Sequence, residues 1–247
     1  MKFKTLLCSI FLTGTALCST AADIKVMSST GMSSMFQQLI PAFERASGHS
    51  VSITYDTSNI IMRKLSAGDT ADLVVLTAPL IEQLSQQGRV VAGSRVDLAR
   101  SGIGVAVRAG AARPDISQVE SFKQALLQAQ SVAYTATGAS GMYFANLSDK
   151  LGIGPQVKAK SITPAGGIVA ELVAQGKAEL GIQMISEIKG VPGTELLGPL
   201  PADVQLFTVF STGLLAGSQQ SVPVKALTDF LTTPAAIQVY QASGMER

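Results

Sequence analysis

Ile24-Lys25-Val26-Met27-Ser28-Ser29-Thr30-Gly31, followed by Met35, Phe36, Leu39, Ile40 and Phe43, is the stretch that decides the architecture. The first four residues are a short apolar run that reads as a strand. Ser28 to Gly31 is a small, hydroxyl-rich loop. The five apolar residues after it recur at helical spacing and share one helix face; Gly48 ends that helix. The same order then repeats. Val51 to Tyr55 alternates as a second strand, Asp56-Thr57-Ser58-Asn59 makes a second polar loop, and Ile60 to Ala67 is a short helix stopped by Gly68. Ala71 to Leu76 is apolar and β-branched, as in a buried parallel strand. Pro79 suits the first turn of a third helix, which Gly88 closes. Three strand–loop–helix repeats argue an α/β protein with mainly parallel sheets and helices on both faces.

The pattern resumes further along. Strands are expected at Ser101–Arg108, Val132–Thr135 and Leu180–Ile185, with extended segments at Val157–Ile162, Val204–Phe210 and Gly213–Ala216. Helices are expected over 118–129, Met142–Leu151, Ile168–Gln175, 222–231 and 234–243. No internal repeat, low-complexity tract or long linker interrupts the chain. Any two-lobed arrangement must use short crossings.

The start of the chain reads as a secretory signal over residues 1–22. Lys2 and Lys4 precede an apolar stretch from Leu6, too short to span a bilayer, and Thr20-Ala21-Ala22 offers a small-x-small cleavage pattern. A lipidated start at Cys18 is the other reading, but Thr15-Ala16-Leu17 lacks the small residue expected before such a cysteine. Cleavage after Ala22 removes both cysteines and two of the 19 basic residues, leaving 17 Lys+Arg against 17 Asp+Glu and no formal net charge. The expected mature protein is a soluble periplasmic monomer without disulfides. With 47% apolar residues among 247, it has ample material for a core. It has one histidine and no basic run, which excludes Cys/His metal sites and gives nucleic acid nothing to hold. No metal or organic cofactor is called for. His49 follows Gly48 in a helix-to-strand turn and reads as a surface residue.

One device recurs. Ser28–Ser34, Asp56–Asn59, Thr137–Gly141 and Thr163–Gly167 each lie between a strand and a helix. A helix start presents unpaired N–H groups and a partial positive charge, glycine lets backbone approach closely, and hydroxyls add rotatable donors. Several such ends meeting in one place would hold an anion without lysine or arginine. Singly, each loop reads first as ordinary helix capping; the four together balance the two readings.

Ser28-Ser29-Thr30-Gly31, Tyr55 to Asn59, Gly68 to Val74, Ala133 to Gly152, Leu172 to Ile185 and the C-terminal helices ending near Gly244-Met245 together resemble the periplasmic molybdate-binding protein family of ABC importers. That resemblance spans nearly the whole mature chain. It implies the two-lobed type II periplasmic binding fold, with a ligand cleft between lobe one (23–100 plus 205–247) and lobe two (101–204). It also implies a small anionic ligand, an oxyanion or polycarboxylate, and an ABC permease as partner. On the family pattern Ser29 or Ser28 and Ser58 or Thr57 hold the ligand, with Asn59, Ser140 and Gly141 in the neighbouring loop positions. Two departures stand out. Ala139-Ser140-Gly141 replaces a Pro-Ala-Gly loop, and Met184 replaces the tyrosine that closes the family's site, so a phenol becomes a thioether. They suit a larger or less symmetric ligand.

For such a ligand Arg63, Lys64 and Arg100 are candidate cationic grips. Arg63 and Lys64 read equally as solvated helix residues, and Arg100 as half of a structural pair at a lobe crossing. The sequence also resembles the aconitate isomerase branch of this family. That branch implies an alternative function: a cofactor-free allylic proton shift between trans- and cis-aconitate. Lys64, Glu187 and Tyr143 are the candidates to carry the proton. Glu187 reads first as a helix-start carboxylate.

Overall fold

A computed structural model describes residues 21–247. Apart from Ala21 and Ala22, the expected signal segment, with its alternative start at Cys18, lies outside the described residues.

The first half follows the repeats closely. Strand β1 (Asp23–Ser29) leads through a 3-10 turn (Thr30–Met32) into α1 (Ser33–Ser47), β2 (Ser50–Asp56), α2 (Ser58–Ser66), β3 (Leu73–Thr77) and α3 (Ala78–Gln86). The face expected for α1 is the one that packs: Met35, Phe36, Leu39, Ile40 and Phe43 are buried. Each such side chain contributes roughly 1.5–3 kcal/mol on leaving water. Thr57 starts α2 because its hydroxyl accepts the Ile60 N–H at 3.3 Å, satisfying one of the free donors of the first turn. Pro79 sits in the first turn of α3, as its fixed φ favours.

The long strand β4 (Val96–Arg108) follows, then α4 (Val119–Gln128), β5 (Val132–Ala133), α5 (Ala139–Lys150), α6 (Gly154–Lys158), β6 (Ser161–Ile162), α7 (Ala170–Ala174), β7 (Leu180–Met184) and α8 (Ile185–Lys189). The chain ends with β8 (Thr194–Pro199), a 3-10 turn (Ala202–Val204), β9 (Phe207–Leu214), α9 (Ser221–Leu231) and α10 (Pro234–Ala242). Several segments differ from expectation. Val157 lies in α6, not in a strand, because Pro155 starts a helical turn that buries Val157. β4 begins at Val96, ahead of the expected Ser101, where it finds β9 as a partner. The two extended pieces near Val204 and Gly213 are one strand, β9, with Gly213 packed in it against Val90. β8 was not expected, since Gly198 and Pro199 mask its pattern.

The strands follow the order β2-β1-β3-β9-β4-β7-β5-β6, with β8 also on β4. Pairs β1–β2, β1–β3, β5–β6 and β5–β7 are parallel. Pairs involving β4 or β9 are antiparallel. The parallel character expected from the repeats thus belongs to the strands that precede the polar loops. β4 changes partner midway: Val96–Gly102 pairs with β9, and Ile103–Ala106 with β7. The Gln205 side chain clasps this point, accepting the Ile103 N–H and donating to the Ile103 carbonyl, each at 2.9 Å. One apolar cluster includes Phe36 and Phe43, Met32, Ile103, Met184 and Phe210, and also Phe122 and Phe144.

Candidate functional site

The polar loops meet. A cavity with about 340 Å³ of space between atoms is lined by Ser29, Thr30 and Gly31 after β1, Thr57 and Ser58 after β2, and Thr77 at the end of β3. Across from them stand Thr135, Gly138, Ala139 and Ser140 after β5, Gly167 after β6, and Met184 and Glu187 from β7 and α8; Phe210 of β9 completes the wall. Every parallel strand sends its carboxyl-end loop here, the usual place for ligands in open α/β sheets. Seven hydroxyl side chains line the space; no lysine, arginine or histidine does. The cavity is small as it stands. It has room for roughly one or two waters. The larger ligand expected from the altered loops does not fit the space as it stands.

The individual groups fall into roles. Ser58 Oγ accepts the Thr77 N–H at 3.3 Å, which leaves its own proton free. The hydroxyls of Ser29, Thr135 and Ser140 bond to none of the described residues. Two glycines permit the close packing around the cavity. A Cβ on Gly31 would meet Phe210 Cζ at 2.5 Å, and one on Gly141 would collide with the Thr135 carbonyl. The first turns of α2 and α5, with their positive dipole ends, therefore sit directly against the space.

Thr57 is occupied differently. Its Oγ1 lies 2.8 Å from Thr137 Oγ1, and Thr137 in turn donates to the Ala165 carbonyl. Thr137 spends its one proton on Ala165, so in the Thr57–Thr137 pair Thr57 is the donor. Asn59 Nδ2 adds a bond to the Thr137 carbonyl at 2.8 Å and lies 3.3 Å from Met142 Sδ. Thr57 and Asn59 thus latch the loop after β2 to the loops after β5 and β6. On another side, Ser186 Oγ donates to the Gly31 carbonyl at 3.0 Å, tying α8 to the loop after β1.

Glu187 is the one ionisable side chain on the wall. It occupies the third position of α8, where its Oε2 accepts the Met184 N–H at 3.3 Å. Burial pushes its carboxyl up to about 7, against weaker opposing bonds from Thr30, Met184 and Gln183. It is thus both the helix-start carboxylate and a group able to change charge near neutral pH.

A family model described as bacterial extracellular solute-binding protein matches residues 24–246. The chain belongs to the bacterial extracellular solute-binding protein family. Among curated relatives of this solute-binding protein is an aconitate isomerase from a Pseudomonas species, 35% identical over 229 residues, covering 90% of this chain and 87% of that one. Among solved structures, the Azotobacter vinelandii periplasmic molybdate-binding protein superposes with a TM-score of 0.77 at 18% identity, over 91% of this chain and 99% of that chain. The sulfate-binding protein SubI from Mycobacterium tuberculosis H37Rv gives 0.70 at 18% identity, over 91% and 86%. The type II periplasmic binding fold expected from the sequence is therefore the fold of this solute-binding protein.

Of the site residues expected from the sequence, Ser29, Thr57, Ser58, Ser140 and Glu187 line the cavity. Ser28 does not. Alternation along β1 turns it into the interior, where it bonds to the Ser29 carbonyl at 3.2 Å. Gly141 lies behind Ser140, against Thr135. The cationic grips are elsewhere. Arg100 pairs with Glu246 at 2.8 Å and stacks 4.8 Å from the Phe207 ring centre, so it is the structural pair of the other reading. Lys64 pairs with Asp56 at 3.1 Å. Arg63 is exposed on α2 and lines an adjoining open groove with Asn59 and Thr137. Tyr143 donates to the Val204 carbonyl at 2.9 Å and does not reach the cavity. His49 accepts the Ala22 N–H at 3.2 Å and does not line the cavity. Among the described residues no cluster of His, Cys, Asp and Glu could hold a metal ion, and no helix is long and apolar enough to cross a membrane. Sequence reasoning missed Thr77, Thr135 and Phe210. The first two end strands with a hydroxyl, a visible signal; Phe210 has none, because its position follows from β9 crossing beside β3.

Proposed function

We propose that this protein captures a small anion in the cavity and delivers it to an ABC permease. The carrying observation is the wall itself: seven hydroxyl groups and two helix starts converge, and no cation does. Neutral donors fixed around a small space can solvate an anion without the cost of burying opposite charges. In this reading residues 1–22 export the chain to the periplasm. Lobe one (23–100 plus 205–247) and lobe two (101–204) open and close about the partner change in β4 and the Gln205 clasp. The Thr57–Thr137 and Asn59–Thr137 bonds hold the closed state. The test is a stability screen of the mature protein with molybdate, sulfate, phosphate and di- and tricarboxylates. A true ligand at a hundredfold excess over its Kd should stabilise the fold by about 2.7 kcal/mol. Failure of every anion in the panel would refute the reading.

A second reading, a cofactor-free isomerase acting on aconitate, is favoured by the placement of Glu187. Of the three proton carriers considered, only Glu187 stands on the wall, and its pKa near neutrality suits a group that takes a proton and gives it back. In the allylic shift a proton leaves one carbon for the Glu187 carboxylate and returns to the other end of the same three-carbon unit. Composition is unchanged and no electron acceptor is needed. The 35% identical isomerase supports this reading. The lack of a lysine or arginine on the wall weighs against it for a trianion, and it requires a more open form with Arg63 as the outer grip. Purified protein incubated with trans-aconitate either yields cis-aconitate, in a reaction abolished by Glu187→Gln, or the isomerase reading falls.

A further inference from the structure

We propose that anion capture in this cavity is coupled to one proton, held between Glu187 and the bound ligand. The proposal rests on the reading of the cavity as an anion site. Glu187 is buried and lines the same small space as Ser29 and Ser58, so an anion that fills the space meets its carboxyl. Its Oε2 accepts the Met184 N–H at 3.3 Å, and the polar side chains beside it, Thr30 and Gln183, are neutral.

No charge on the surrounding elements relieves it. The 3-10 turn before α1 and strand β7 carry none. On β4, Asp97 pairs with Arg95, Arg100 pairs with Glu246, and Arg108 is exposed at the far end. On β8, Glu195 pairs with Arg113. On α1, Glu44 accepts the Val51 N–H and Arg45 is exposed. On α8 itself, Lys189 reaches the Ala242 carbonyl. Two negative charges in contact without a cation, in a small and largely buried space, strongly favour protonation of one of them. A fully ionised anion must therefore draw a proton from solvent onto Glu187, which then donates a hydrogen bond to it. An anion carrying its own proton brings that hydrogen bond with it and meets an ionised Glu187. The ligand class favoured above neutral pH is thus a protonated oxyanion or a hydroxylated carboxylate.

Titration calorimetry at about pH 8, in two buffers with different heats of ionisation, tests this with molybdate, sulfate and trans-aconitate. Uptake approaching one proton per bound anion is expected, with affinity falling about tenfold per pH unit above neutrality. Glu187→Gln should bind without proton uptake, its affinity level across the same range. Tight binding by the unaltered protein with no uptake and no pH dependence overturns the proposal while leaving the anion site intact. Absence of binding by all anions at every pH overturns both. If the Gln variant fails to fold, carbon-13 spectra of glutamate-labelled protein decide the matter. One carboxyl should titrate near neutrality and stay protonated to higher pH when an anion is bound; a carboxyl ionised throughout refutes the coupling.

Discussion

Glu187 should make the ligand-free protein less stable as pH rises through the mildly acidic range. In the folded state its carboxyl is pushed up from 4.5 to about 7 by burial. Below about pH 4.5 both the folded and unfolded chains carry the proton, and this group adds no pH dependence. Between the two values the folded chain holds a proton that the unfolded chain has released, so stability falls with rising pH. Above about 7 both are ionised and the penalty is constant. Across that interval, at about 1.36 kcal/mol per pH unit, the loss is roughly 3 kcal/mol. That is a substantial share of the ~5–15 kcal/mol by which domains are stable. Other carboxylates titrate as well, so the assay is a difference. Urea unfolding of the unaltered protein and of Glu187→Gln is followed at several pH values from about 4 to 8, without anions. The Gln variant, with no charge to bury, should gain on the unaltered protein by that amount between pH 4.5 and 7 and keep the gain above it. A difference that stays flat from pH 4 to 8 would mean that Glu187 is solvated or paired in solution, and the burial argument would be refuted.

Ser29→Ala and Ser58→Ala should each weaken anion binding roughly ten- to hundredfold, as for loss of one hydrogen bond to a charged ligand; Ser29→Ala should change unfolding free energy little, whereas Ser58→Ala also unpairs the buried Thr77 N–H and should cost about 1–3 kcal/mol, and unchanged affinity in both would place the ligand elsewhere. Thr57→Val keeps shape but removes both the α2 cap and the bond to Thr137. It should cost about 1–2 kcal/mol in denaturant titrations and populate more open forms in small-angle scattering. Arg100→Ala should leave anion affinity unchanged by calorimetry and cost at most about 1 kcal/mol, because its pair with Glu246 is half exposed. Gly31→Ala should abolish tight binding by driving a methyl group into Phe210, with a stability loss of about 1–3 kcal/mol measurable by thermal unfolding.

The parallel strands, their polar loops and the buried face of α1 were legible in the sequence because each follows from local alternation, spacing and capping. The resemblance quoted for nearly the whole mature chain carried the fold further than periodicity could. Ser29 and Ser58 were legible for the same reason, as hydroxyls at strand-to-helix junctions. β8 was not, since a short strand containing Gly198 and Pro199 reads as a turn, and α6 was misread because Val157 is β-branched but buried in a helical turn.

Charge was the property the sequence represented least well. Arg63, Lys64 and Arg100 stand near the right loops in the chain, yet a long side chain goes wherever a carboxylate or open solvent receives it. Lys64 found Asp56, and Arg100 found Glu246, 146 residues away. Glu187 shows the converse. Its position three residues into a helix was visible from sequence, but the burial that makes its proton labile was not. By itself the sequence determined which groups could meet an anion: hydroxyls, helix starts and very few cations. Only the tertiary structure decided that the cations are spent elsewhere and that one carboxyl remains inside. Desolvation depends on every neighbour in space, and the packing of β7, α8 and the loop after β1 supplies those neighbours from distant parts of the chain.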